Sequence, residues 1–109
     1  MNEIQALYEK LTQIPIPFAY DQFPKDQVPP MPYGVYSTIR ANPFYADGRV
    51  YFIFGHLAIE LYSKRKRPDL EREIEAALDG FTWTKEEEYL SSEKCTLITY
   101  ELEVKNNGG

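Results

Sequence analysis

The sequence predicts an α+β fold: an antiparallel sheet of about four to five strands with helices packed on one face. Three observations point there. Residues 3–13 and 68–79 place apolar side chains at helical spacing. Residues 33–40, 50–64 and 95–105 alternate apolar and polar positions as strands do. The links around 47–48 and across 86–94 are short enough for antiparallel hairpins, and one helix-covered sheet face then buries both helical stripes.

Taken in order, residues 3–13 set Ile4, Leu7, Tyr8 and Leu11 on one side, with Glu3, Glu9 and Lys10 opposite. Pro15 ends that helix. Ile16 to Tyr20 reads as a short strand that Pro15 and Pro17 confine to a sheet edge. The proline-dense stretch 21–32 is a stiff connector, because proline reduces the freedom of the unfolded chain. Its Pro29 and Pro32 also fit a P-x-x-P ligand pattern, although a rigid loop leading into a strand explains them better. Tyr33 to Arg40 is a strand, and 41–49 reads as a loop or hairpin tip with Asp47-Gly48 as its turn. Val50 to Lys64 is strand again. Leu57, Ile59 and Leu61 face one way, and Gly55 predicts a bulge or bend.

Pro68 to Asp79 carries the clearest helix signals. Pro68 suits the first position, Asp69 and Glu71 the positive end, and Gly80 the stop. Leu70, Ile74, Ala77 and Leu78 form its apolar stripe. Phe81 to Lys85 alternates as a strand with Trp83 in the core, and Glu86-Glu87-Glu88 opens an acidic, exposed connection. Cys95 to Lys105 is the last strand. The division is a single domain over 1–105 and a disordered tail over 106–109.

At 109 residues the chain buries roughly 60–70% of its unfolded surface, enough for a core without disulfides or metal. Aromatic residues reach 15%, with nine Tyr and six Phe, an excess that favours large contact areas in cores and interfaces. A net charge of −5 argues against a surface devoted to gripping phosphates. The single cysteine, Cys95, suits a reducing compartment, and the N-terminus shows no signal peptide, so the expectation is a soluble intracellular protein.

Catalytic motifs are missing. With one histidine, His56, no multi-histidine metal site exists; Cys95 and His56 form the one conceivable nucleophile–base pair, without an orienting third group. Glu86, Glu87 and Glu88 read as a solvated charge run before they read as a cation site. Gly108-Gly109 invites comparison with conjugated ubiquitin-like modifiers, but the N-terminal helix, the proline segment and Asn106-Asn107 fit that poorly. No cofactor is expected, and no enzymatic role.

Four phrases in order, PYGVYSTI, NPFYADGRVY, LAIELYSKRKRPDLEREIEAAL and EEEYLSSEKCTLITYELEV, resemble the tail-completion or tail-terminator proteins of long-tailed phages and prophages. They lie between Pro32 and Val104. The resemblance implies a small α+β subunit that assembles into a ring, commonly a hexamer, at the head-proximal end of the tail. Its partners are other copies of itself, the tail-tube protein and the head connector, with DNA only in passage. Its place is the host cytoplasm during assembly and then the virion neck. Another neck component, a head-closure or connector subunit, is the nearest alternative, and a monomeric binding adaptor the next.

Within that reading, Glu86, Glu87 and Glu88 are candidates for an acidic lumen, since like charge keeps DNA from sticking. Phe44 and Tyr45, two large aromatics in a polar segment, either contact a neighbouring subunit or fold back over the sheet edge. Lys64, Arg65, Lys66 and Arg67 lie between a strand and a helix. They form a solvated turn that meets its own helix's acids or a neighbouring subunit's, with contact to DNA or an acidic partner surface left open. Asp69–Arg72 and Arg72–Glu75 are spaced for helix-surface pairs.

Overall fold

The computed structural model describes the backbone of residues 3–46 and 49–105, and the side chains of 4–38 and 56–103. The elements are α1 (Glu3–Thr12), β1 (Phe18–Tyr20), β2 (Tyr33–Ala46), β3 (Arg49–Ser63), α2 (Pro68–Ala77), β4 (Thr82–Leu90) and β5 (Cys95–Lys105). The strands form one sheet in the order β1-β2-β3-β5-β4. The fold is α+β, as the patterning indicates.

Both helices cover the same face. Leu7, Leu11 and Ile14 from the α1 region meet Leu70, Ile74, Ala77 and Leu78 of the α2 region over Leu57, Ile59, Leu61, Ile98, Tyr100 and Leu102 of the central strands. Trp83 packs half-buried against this core, with its ring 5.6 Å from that of Tyr100. Arg67 precedes α2 without a side-chain cap, Pro68 opens the helix, and Gly80 takes φ +93 beyond its end, where a side chain is disfavoured. No described helix is long and apolar enough to cross a membrane.

The structure departs from the sequence expectations in three places. β1 runs parallel to β2, so the sheet is mixed rather than wholly antiparallel. A tight turn cannot make a parallel pair; residues 21–32 bring the chain back, with Phe23 edge-on to Tyr33 at 5.3 Å. Second, residues 41–46 are strand at the end of the β2–β3 hairpin rather than loop, because β2 continues to Ala46 against β3. Pro43 sits beside the register shift that follows Asn42, in a stretch where β2 pairs with β3 alone, and an edge or a bulge is where a strand tolerates proline. Gly55 itself stays in register, opposite Ala41 and Val104, flanked by that shift and the one between Thr38 and Arg40. Third, Glu86–Glu88 are not a connection but the middle of β4, which ends at Leu90. Charged residues suit an outer strand, where they discourage pairing with another chain. The Asp47-Gly48 turn and the 106–109 tail lie outside the described residues.

β5 pairs with β3 only as far as Phe54↔Lys105, whereas β2 and β3 pair on to Ala46↔Arg49. The end of the β2–β3 hairpin is therefore a two-stranded ribbon extending beyond the sheet. The molecule measures 51 × 28 × 22 Å, with a radius of gyration of 15.3 Å. A compact chain of this length would have a radius of about 13 Å.

Candidate functional site

The cation run divides by position. Lys64 and Arg65 are exposed at the exit of β3. Lys66 turns to its own chain, lying 3.3 Å from Glu71 and hydrogen-bonding Glu87 of β4. Arg67 donates two hydrogen bonds to Asp69, at 3.0 and 2.9 Å. Asp69 thus pairs with Arg67, and Glu75 with Lys85, in place of the Arg72 pairs expected from helical spacing.

Glu71 is the centre of a network that sequence patterning did not reveal. Its side chain is 4% exposed. Lys85 of β4 reaches across to Glu71 at 2.7 Å and Glu75 at 2.8 Å, and lies over the Tyr100 ring. The Tyr100 hydroxyl donates to Glu75 at 2.8 Å. Burial alone would raise the Glu75 carboxyl, but Lys85 and Tyr100 outweigh it and hold Glu75 below the usual carboxylate range. Glu71 first, and then Glu75, hold the Lys85 ammonium above its ordinary value. Burial, reinforced by Glu75, pushes the Tyr100 phenol well up. The signal available in the sequence was the odd placement of Glu71, one position after Leu70 on the inward side of α2.

The acidic triplet does not share one surface. Directly paired residues point to the same side of a sheet. Glu87 pairs opposite the core residue Ile98 and faces the helices, whereas Glu86 and Glu88 lie opposite Thr99 and Leu97 on the helix-free side. Glu101 and Glu103 continue that side along β5, and Glu60 of β3 stands across from Thr99. The helix-free face thus gathers Glu60, Glu86, Glu88, Glu101 and Glu103. His56 stands 3.9 Å from Glu103.

Phe44 and Tyr45 lie in the projecting ribbon, their backbones paired with Tyr51 and Val50. Their side chains are outside the described residues. Cys95 and His56 do not meet. His56 pairs opposite Glu103 and Cys95 begins the same strand, which sets them roughly 27 Å apart at strand rise. Burial, then Glu93, raises the Cys95 thiol, the opposite of nucleophile activation. Among the described residues no carboxylate, histidine and cysteine cluster is arranged for a metal ion. Pro29 and Pro32 are half-buried.

No protein-family profile matches the chain. No curated protein matches it either. Among solved structures, the fold is similar to that of the gp17 protein of bacteriophage SPP1, with a TM-score of 0.48 and 18% identity, over 98% of this chain and 91% of that one.

Proposed function

We propose that this chain is a structural subunit of a phage neck or tail, of the tail-completion kind, working as a ring. In that role the ring caps the tail tube, stops its growth and docks the head connector. The sequence phrases between Pro32 and Val104 resemble that family, and the architecture is compatible with them. The observation that carries an assembly role is the projecting β2–β3 ribbon. A two-stranded ribbon is marginal alone, and gains stability from a surface to lie on. Phe44 and Tyr45 sit within it and are the proposed contact to a neighbouring subunit or tail protein.

The acidic, helix-free face is the proposed lining of the bore. Its carboxylates are Glu60, Glu86, Glu88, Glu101 and Glu103. Glu87 leaves the lining, because it is engaged with Lys66 on the other side of β4. DNA passing such a lining is repelled rather than retained.

Tail assembly in its presence tests the reading. With tail-tube protein polymerising on its initiator, added chain is expected to fix tube length and appear as an annulus at one end in electron micrographs. Tubes that elongate unchanged, with no density at the tip, would reject tail completion. Binding to an isolated head connector instead would favour the head-closure role.

A further inference from the structure

At one end of the sheet, two shallow hollows open between the exit of β3, the entry to β2, the end of α1 and the start of α2. One holds about 240 Å³ and is walled by Met31, Pro32, Ser63, Lys64, Arg65 and Arg67. The other, about 690 Å³, shares Pro32 and Arg67 with it and adds Pro15, Ile16 and Leu70 to the floor. Together they make one groove with an apolar floor and a cationic rim. Pro15 and Pro32 fix the backbone beneath it, so little freedom is lost on binding. Lys64 and Arg65 make no ion pair among the described residues, unlike Lys66 and Arg67.

The same end of the molecule carries a projection of opposite character. The turn 91–94 between β4 and β5 is exposed, and Tyr89 beside it is 63% exposed, an unusual state for a tyrosine. Glu93, within the turn, is exposed too. β4 lies three strand positions from β2 in the sheet, about 14 Å at ordinary strand spacing. Projection and groove share no residue, so the two are distinct patches of one chain.

We infer that the groove receives the β4–β5 turn of a second copy of this chain. Tyr89 of that copy sits on the apolar floor, and its Glu93 meets Lys64 and Arg65. Tyrosine in an apolar pocket ringed by charge has the composition of an interface anchor. Because projection and groove are different patches, the contact is head-to-tail, the kind that closes into a ring when the rotation allows. Nucleic acid is the poorer occupant: Asp69 and Glu73 in the groove wall offset Arg67 and Arg72, which leaves Lys64 and Arg65 as the uncompensated cations of the lining. The inference rests on the ring reading and specifies which surfaces make the ring.

Sedimentation and light scattering of the full chain, at millimolar protein and low salt, test it. Arg65→Glu and Glu93→Lys are each expected to weaken self-association by roughly tenfold or more, and Tyr89→Ser likewise. All three sites are exposed, so circular dichroism should remain that of the parent. The decisive arm is an equimolar mixture of Arg65→Glu with Glu93→Lys. Each reversed groove then faces a reversed turn, each native groove a native turn, and association should return. Variants that associate as strongly as the parent overturn this contact while leaving the ring intact. A parent chain that stays monomeric throughout overturns both. Should a duplex oligonucleotide bind the parent, lose affinity with Arg65→Glu, and leave association untouched, the groove is a nucleic-acid site and the inference fails.

Discussion

Gly34 shows how a single position fixes the sheet edge. It stands opposite Phe18 in the parallel pair, and a Cβ there would lie 2.2 Å from the Phe18 ring. That ring packs against the core and near Tyr36, so it has little room to give. Gly34→Ala is expected to destabilise the fold by about 1–3 kcal/mol through overpacking. Chemical denaturation checks this, with Trp83 as the single tryptophan reporter; adding Phe18→Ala should recover part of the loss from that clash. Lys85 is the second decisive residue. Removing it leaves Glu71 buried with only Lys66 near it. Full loss of a buried partner costs about 3–5 kcal/mol; since Lys85 is 33% exposed and solvent screens it, about 2–3 kcal/mol is expected for Lys85→Ala.

The same network sets a pH window. Glu75 is held below its ordinary value of 4.5, so it adds stability above that pH, and the gain is lost as pH falls through its folded value. Lys85 is held above its ordinary value of 10.5, so its contribution is present below that pH and is lost as pH rises through the folded value. Urea midpoints should therefore be level from about pH 5 to pH 9 and fall on both sides, the alkaline fall beginning with Cys95, whose buried thiol is also held above its ordinary value. In Lys85→Ala the acid limb should shrink, because Lys85 is a main reason Glu75 stays ionised.

Among elements, the helices and β5 were readable because their periodicities are long and uninterrupted. Leu70, Ile74, Ala77 and Leu78 are buried as their spacing demands, and β5 spans Cys95–Lys105 as its alternation predicts. The β2–β3 ribbon and β4 depart from what their sequence punctuation suggests for opposite reasons. Pro43 and Asn42 punctuate the ribbon like a loop, yet a register shift accommodates them. Three consecutive glutamates look like a solvated link, yet an outer strand tolerates charge on both faces. The ribbon makes the element-scale prediction. With Phe44 and Tyr45 both changed to serine, ring assembly should be lost while the melting temperature changes by less than a few degrees. Unchanged assembly with a large drop in melting temperature would mean that the two aromatics serve the fold rather than a partner.

Across the whole molecule, the distribution of charge matters more than its sum. The net charge of −5 conceals an acidic helix-free face and a cationic groove at one sheet end. If the groove holds the neighbouring turn, association should weaken as salt rises, because exposed charges are screened within about 8 Å at physiological ionic strength. Light scattering across a salt series measures this. An association that strengthens with salt would instead point to the aromatics Phe44 and Tyr45 as its main source.

The sequence by itself determined the order of elements, both buried helical stripes and the inward sides of β3 and β5. These follow from local spacing, which every residue carries with it. Tertiary structure alone decided the parallel β1 pairing, the split of Glu86–Glu88 between two faces, and the assignment of Lys66 and Lys85 to a buried Glu71. Each depends on which strand lies beside which and on the register between them. Residues as distant in the chain as Lys66 and Glu87 become neighbours only when β4 takes its place at the sheet edge.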